Sequence, residues 1–270
     1  MSAEDKVFAG SIPEIYDTYL VPLIFEAYAE DLARRVIAGS SGAVLETAAG
    51  SGVVTRALAA RLAGDARYTV TDLNQPMLDR AASMQGADAR ITWQQADALD
   101  LPFDDGSFDT VACQFGVMFF PDRVKGYAEA RRVLKPGGRF IFNVWDHIGV
   151  NEFADEVTNA AATVIPDDPP RFLARTPHGY HDVGAIRRDL SAAGIDDISV
   201  ETITESSSAP SPRHPAIAYC QGTPLRNEIE ARDANALEAV TERATEAIAA
   251  RFGAGPVAGK IQGHVVTAVR

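Results

Sequence analysis

The segment Glu46-Thr47-Ala48-Ala49-Gly50-Ser51-Gly52 limits the fold of this chain more than any other. It lies between a short apolar run at residues 43–45 and a helix-forming run that begins near Val53. The apolar run has the length and character of a buried strand. Gly50 and Gly52 then let the backbone turn tightly and approach a ligand where a Cβ would collide. The following helix carries Val54, Leu58 and Leu62 at near-helical spacing and points free amide donors at the turn. A second apolar strand at residues 68–71 ends in Asp72, whose carboxylate can accept two hydrogen bonds from a ribose diol.

Further units repeat this order. Residues 91–98 read as a third strand ending in the acid Asp97, placed to accept from an adenine amino group. The polar turn 101–109 leads into an apolar strand at 110–114. A helix over 124–134 stops at Lys135-Pro136-Gly137-Gly138, and a fifth strand spans 139–145. Strands alternating with helices predict a parallel sheet with helices on both faces.

Two nucleoside cofactors suit such a turn. A dinucleotide site uses Gly-x-Gly-x-x-Gly, whose last glycine permits close helix packing, and Thr55 occupies that position here. Glu46 would repel a pyrophosphate but suits a ligand that carries an ammonium and a sulfonium. These features favour S-adenosylmethionine over NAD.

With "LPFDDGSFD" at 101–109 and "RRVLKPGGRF" at 131–140, the chain resembles class I S-adenosylmethionine-dependent methyltransferases, of the small-molecule branch similar to ubiquinone and menaquinone biosynthesis methyltransferases. The resemblance covers roughly residues 40–146. It implies a seven-stranded Rossmann-like α/β sheet, mostly parallel with the last strand antiparallel, and methyl transfer that leaves S-adenosylhomocysteine. It also implies that Glu46, Thr47, Ala48, Gly50 and Gly52 lie along the methionine part of the cofactor, that Asp72 holds the ribose, and that Asp97 and Ala98 face the adenine. Leu73, Met77, Gln114 and Tyr16 complete the candidate cofactor set. The family's first motif is Asp-x-Gly-x-Gly-x-Gly, and this chain departs from it with Glu46 and Ala48.

The chain has 37 acidic against 25 basic residues, a formal net charge of -12, and no basic stripe. A nucleic-acid methyltransferase needs cations along the phosphates, so a small-molecule acceptor is expected. No apolar run approaches the roughly 20 residues of a membrane span, and residues 1–10 lack the basic and apolar regions of a secretory signal, which predicts a cytoplasmic protein. Cys113 and Cys220 form no Cys-x-x-Cys pair. No metal site is expected, because Asp167 and Asp168 adjoin a proline turn without clustered partners. Oligomeric state is not encoded in any recognisable signal.

The 270 residues read as one methyltransferase domain. Its parts are an N-terminal helical cap (1–39), the cofactor core (40–146), a lid with the sixth strand (147–205), a helical insertion (206–258) and the last strand (259–270). The cap predicts one or two helices over 12–37, broken at Pro22. The insertion opens with the loop Ser206-Ser207-Ser208-Ala209-Pro210-Ser211-Pro212 and contains a helix over 234–252. Acceptor contacts are assigned to Tyr19, Phe119, His147, Phe172, His178, Tyr180, His181 and Tyr219. His147, just past the fifth strand, is the candidate base, needed only if the acceptor must lose a proton. The alternatives are a non-catalytic S-adenosylmethionine-binding protein and an NAD-dependent oxidoreductase.

Overall fold

The computed structural model describes residues 12–39 and 42–270; the reading of residues 1–10 and the start of the N-terminal cap lie outside them. The chain divides into two compact units. One comprises Glu26–Val144, His181–Thr202 and His264–Arg270; the other comprises Met1–Phe25, Trp145–Tyr180 and Ile203–Gly263.

The first unit carries β1 (Ala43–Glu46), β2 (Arg67–Asp72), β3 (Ile91–Gln95), β4 (Phe108–Gln114) and β5 (Leu134–Trp145, up to Val144). β1 to β5 pair in parallel in the order β3-β2-β1-β4-β5. Helices α2 (Glu26–Ile37), α3 (Val53–Ala59), α4 (Gln75–Gln85), α5 (Arg123–Val133) and α8 (Val183–Ala192) accompany them. All four residues of β1 are buried, as expected for a parallel strand covered on both faces. On one face of β5, Phe140 and Phe142 pack on Tyr127 of α5. On the other, Arg139 donates to the carbonyls of Arg35 and Val36 at the end of α2.

β6 (Asp197–Ala209) and β7 (Val257–Val269) complete a seven-stranded sheet, in which β7 lies between β5 and β6. β7 runs antiparallel to β5: Arg270 pairs with Gly138, and Gln262 with Asp146. Thr202 meets His264 and Thr204 meets Gln262, so β6 and β7 are antiparallel as well. The expected helical insertion lies between them. Two predicted boundaries move. The Lys135–Gly138 stretch is inside β5 rather than before it, with a register shift against Phe108 and Thr110. Residues 206–209, read as loop, continue β6. Serine side chains gave no apolar alternation to reveal this, yet Ser207 is buried and its hydroxyl donates to the Leu23 carbonyl.

The second unit is largely helical. α6 (Glu152–Val164), α9 (Arg213–Gln221) and α11 (Ala236–Phe252) pack on one another, with α7 (Phe172–Arg175) and α10 (Leu225–Arg232) beside them. α11 buries an apolar stripe that includes Val240, Thr241, Ala244 and Ile248, and Phe252 sets its ring edge against Phe153 of α6. The stripe is therefore core of this unit. Near the N-terminus, α1 (Ile12–Ile15) runs straight into a π-helical stretch, Tyr16–Phe25, with no break at Pro22. Proline has no N–H, and its ring clashes with the carbonyl four residues back, here Thr18. The wider π turn relieves that clash without ending the helix.

Candidate functional site

The glycine loop of the first unit is wound through three left-handed residues: Ala48 (φ 52°), Gly50 (φ 57°) and Gly52 (φ 79°). Each serves a different end. A Cβ on Gly52 would lie 2.8 Å from the Ala81 Cβ, so this glycine lets α3 approach α4. A Cβ on Gly50 would meet only the Met77 Cε, at 3.9 Å, so the space above it is open to a ligand. Ala48 holds the conformation that the family motif gives to glycine, at a cost of about 1–2 kcal/mol for an L-residue. Its Cβ fits because of Gly116, where an added Cβ would stand 2.6 Å from the Ala48 Cβ and 2.7 Å from the Cys113 Sγ.

Asp72 fastens this loop. One carboxylate oxygen accepts from the Gly50 amide at 2.8 Å and the other from the Asn74 amide at 2.7 Å. Burial pushes the Asp72 carboxyl up, and those amide bonds pull against it. The Asn74 side chain and the Leu73 amide bear on the same carboxylate. Leu73 is 42 % exposed, an apolar surface beside a polar turn and suited to the face of a base. Asp97 lies in the turn after β3, exposed, with its carboxylate accepting from the Leu99 amide at 2.9 Å; Ala98 follows it. Met77 is buried on α4, and Gln114 ends β4. Ten of the twelve candidate cofactor residues thus lie at or just after the C-terminal ends of β1, β2, β3 and β4, a further one, Met77, lies on α4, and Tyr16 belongs to the other unit, where its ring lies 5.3 Å from Phe25.

Glu46 is 1 % exposed, and one of its oxygens accepts from the Thr55 hydroxyl at 2.7 Å and from the Tyr68 hydroxyl. Burial raises its carboxyl to about 7 against these two donors; Asp72 adds to the rise and Arg56 opposes it. The sequence reading missed Tyr68 and Thr55. Their signal is the register: Val44 pairs with Tyr68 and Glu46 with Val70, so the Tyr68 and Glu46 side chains share a face.

The two family segments prove to be one structure. The Arg132 guanidinium donates to the carbonyls of Leu101 and Phe103 and to Asp105, while Glu129 accepts from the Leu101 amide. Lys135 reaches Asp109, which also accepts from Ala43 at the start of β1. The turn 101–109 and the helix end at 131–135 occur together because one supplies the carbonyls and carboxylates that the other's cations require.

The acceptor candidates fall in both units. In the first, Phe119 is half-buried in the 3-10 turn Val117–Phe119, and His181 is half-buried ahead of α8. In the second, His147 is exposed and its Nδ1 accepts from the Gly149 amide, which makes it the cap of the turn Ile148–Val150. His178 is buried, with Nδ1 at 2.8 Å from the Asp146 carbonyl. A carbonyl only accepts, so Nδ1 carries the proton and the lone pair sits on Nε2. The Tyr19 ring lies 4.8 Å from His214. Phe172, Tyr180 and Tyr219 are buried, and burial raises the Tyr219 hydroxyl. Among the described residues no His, Cys, Asp and Glu group has metal-site geometry, and no helix is long and apolar enough to cross a membrane.

The chain is similar to known methyltransferases. A methyltransferase domain model matches residues 45–142. The demethylmenaquinone methyltransferase of Mycolicibacterium gilvum is 32% identical over 170 residues, 60% of this chain and 71% of that enzyme. The chain belongs to the S-adenosylmethionine-dependent methyltransferases. A second demethylmenaquinone methyltransferase, from Clavibacter sepedonicus, is 41% identical over 108 residues, 40% of this methyltransferase but only 43% of its own length. The ubiquinone/menaquinone biosynthesis C-methyltransferase of Idiomarina loihiensis is 27% identical over 173 residues, 60% of this chain and 69% of its own. The chain spans about half the length of several other curated relatives it matches, 47% to 58% of their own. In fold, the methyltransferase resembles phosphoethanolamine N-methyltransferase 2 of Haemonchus contortus, solved with S-adenosyl-L-methionine (TM-score 0.60, 18% identity, 98% of this chain and 58% of that one). It also resembles the [4+2]-cyclase SpnF (TM-score 0.55, 17% identity, 91% and 81%). The cofactor of the family is S-adenosylmethionine, and the open space over Gly50, the buried Asp72 carboxylate beside it and the exposed Leu73 fit it.

Proposed function

We propose that this methyltransferase methylates a small, neutral, hydroxylated aromatic ring of the hydroquinone type, at a ring carbon. The observation that carries this reading is the match to 71% of the Mycolicibacterium gilvum enzyme, together with relatives described as quinone C-methyltransferases. When bound, the cofactor supplies an electrophilic methyl group on sulfur. A hydroquinone ring is electron-rich enough to attack it: a carbon–carbon bond forms, the carbon–sulfur bond breaks, and the ring proton passes to water. No oxidant is required.

The chain's own residues bind and orient. Asp72 holds the ribose while fixing the Gly50 amide, and Glu46 lies buried at the end of β1 with its carboxyl raised to about 7, where a cationic ligand beside it favours the ionised form. Proximity and orientation of this kind can contribute about 7–11 kcal/mol. Acceptor choice is assigned to residues 147–181 and 206–255; the family model ends at residue 142, which supports placing the variable part of the activity there. A small-molecule rather than nucleic-acid acceptor, supported by the net charge of -12, and a cytoplasmic location belong to the same proposal.

The test is incubation with S-adenosylmethionine and 1,4-naphthohydroquinone kept reduced, followed by mass spectrometry and NMR. Release of S-adenosylhomocysteine with a ring-C-methylated product is expected. A protein that binds S-adenosylhomocysteine yet leaves this ring untouched would refute the acceptor class.

A further inference from the structure

We propose that Asn143 is an acceptor-binding residue, whose side-chain amide holds a ring hydroxyl of the acceptor. The proposal rests on the hydroquinone reading above. Asn143 lies two residues before the end of β5, is 0 % exposed, and has neither its Nδ2 nor its Oδ1 hydrogen-bonded among the described residues. An amide buried in this way forfeits its bonds to water twice over, and an apolar side chain of the same shape would avoid the loss. Such a group is retained where a ligand completes it.

Its place in the sheet says which part of the ligand. Across β3-β2-β1-β4-β5, the strand ends carry in turn Asp97, Asp72, the glycine loop, Gln114 and Asn143. The order of β3, β2 and β1 follows the cofactor from adenine through ribose to methionine, so the transferred methyl lies toward β4. Strand order reverses between β1 and β4, the position at which sheets of this kind bind their ligands. The next position outward is β5, where Asn143 is the register partner of Gln114. The side chains of Arg139, Ile141 and Asn143 share the face on which Arg139 meets α2, opposite the face of Phe140, Phe142 and Tyr127. At the end of β4, Phe115 is left-handed (φ 49°) and sets its ring edge-on to Tyr28 of α2, at 5.2 Å. A bulky residue in that conformation is a genuine outlier, of the sort that clusters at functional sites.

The chemistry of the amide selects the ligand group. It is neutral, accepts at Oδ1 and donates at Nδ2, so it matches a hydroxyl, which donates its proton and accepts in return. Held this way, the ring hydroxyl fixes which ring carbon faces the methyl group. Asn143 is then a residue of acceptor specificity, and no proton need reach it.

The test compares wild type with Asn143→Leu and Asn143→Ala by thermal unfolding, calorimetry with S-adenosylhomocysteine, and steady-state turnover of reduced 1,4-naphthohydroquinone at saturating cofactor. For Asn143→Leu we expect an equal or higher Tm, S-adenosylhomocysteine affinity within threefold of wild type, and kcat/KM for the hydroquinone lowered at least tenfold. A buried amide with only a structural role would not combine a stability gain with that loss. Should the leucine variant fail to fold, Asn143→Ala carries the same kinetic criteria. Turnover within threefold of wild type, or a loss confined to cofactor affinity, overturns the proposal and leaves the hydroquinone reading standing. A wild-type protein that binds S-adenosylhomocysteine but does not methylate the probe overturns both.

Discussion

Glu46 offers a quantitative test of how the site is built. Its carboxyl is raised from 4.5 to about 7, chiefly by burial. In the unfolded chain it ionises at its ordinary value, so between these two pH values the native state holds a proton that the unfolded state has lost. Stability from this group is thus fully present below about 4.5 and is lost as pH rises through about 7. At 1.36 kcal/mol per unit of pKa difference, the loss is about 3 kcal/mol. Asp72, Arg56, Tyr68 and Thr55 are the groups that bear on it. The informative perturbation is Glu46→Gln, which keeps the shape and removes the titration. Urea unfolding of both proteins between pH 4 and 8 should give a stability difference that moves in favour of the glutamine variant by about 3 kcal/mol as pH rises. Carbon-13 NMR of the glutamate carboxyls reads the same titration directly. Tyr68→Phe should push Glu46 further up, because a hydrogen bond to a charged group is worth about 1.5–3 kcal/mol and favours the ionised form. A pH-independent difference between wild type and Glu46→Gln, or a Tyr68→Phe protein in which Glu46 titrates lower, would refute the reasoning.

Asp72→Ala removes the clamp on Gly50 together with the proposed ribose contact, and calorimetry should show S-adenosylhomocysteine binding weakened by about 1.5–3 kcal/mol, with NAD much weaker still in wild type. Unchanged affinity in a folded variant would end the ribose assignment. Phe172→Ala should lower unfolding stability by about 3–5 kcal/mol, since Phe172 is 1 % exposed, so its effect on turnover is interpretable only at temperatures where the variant is folded. Turnover should survive exhaustive chelation; loss with EDTA and recovery with magnesium would reveal a metal requirement.

The sequence by itself determined the order of strands and helices, the glycine turn, the acids at positions 46, 72 and 97, and from these the cofactor class. Such features are local: a buried strand, a turn that needs left-handed residues and a helix start each declare themselves within a few residues. The π-helical Tyr16–Phe25 was not legible, because proline reads as a break unless a wider turn accommodates it. Nor was the start of β5 at Leu134, since Pro-Gly-Gly signals a stop that the pairing with β7 overrides.

Only the tertiary structure decided what each site residue touches. Glu46 meets Tyr68 and Thr55 because strand register and helix placement bring a carboxylate and two hydroxyls to one face. Ala48 tolerates its left-handed backbone because Gly116, far along the chain, leaves room for a methyl group. His147 caps a turn while His178 is fixed in one tautomer by the Asp146 carbonyl, a distinction that residue type cannot supply. Asn143, a polar residue within the apolar run at 140–145, became notable only when its burial and its unmet amide were seen together. Composition and periodicity report how often a residue prefers an environment, but hydrogen bonding and burial are properties of pairs distant in sequence, and the fold alone chooses those pairs.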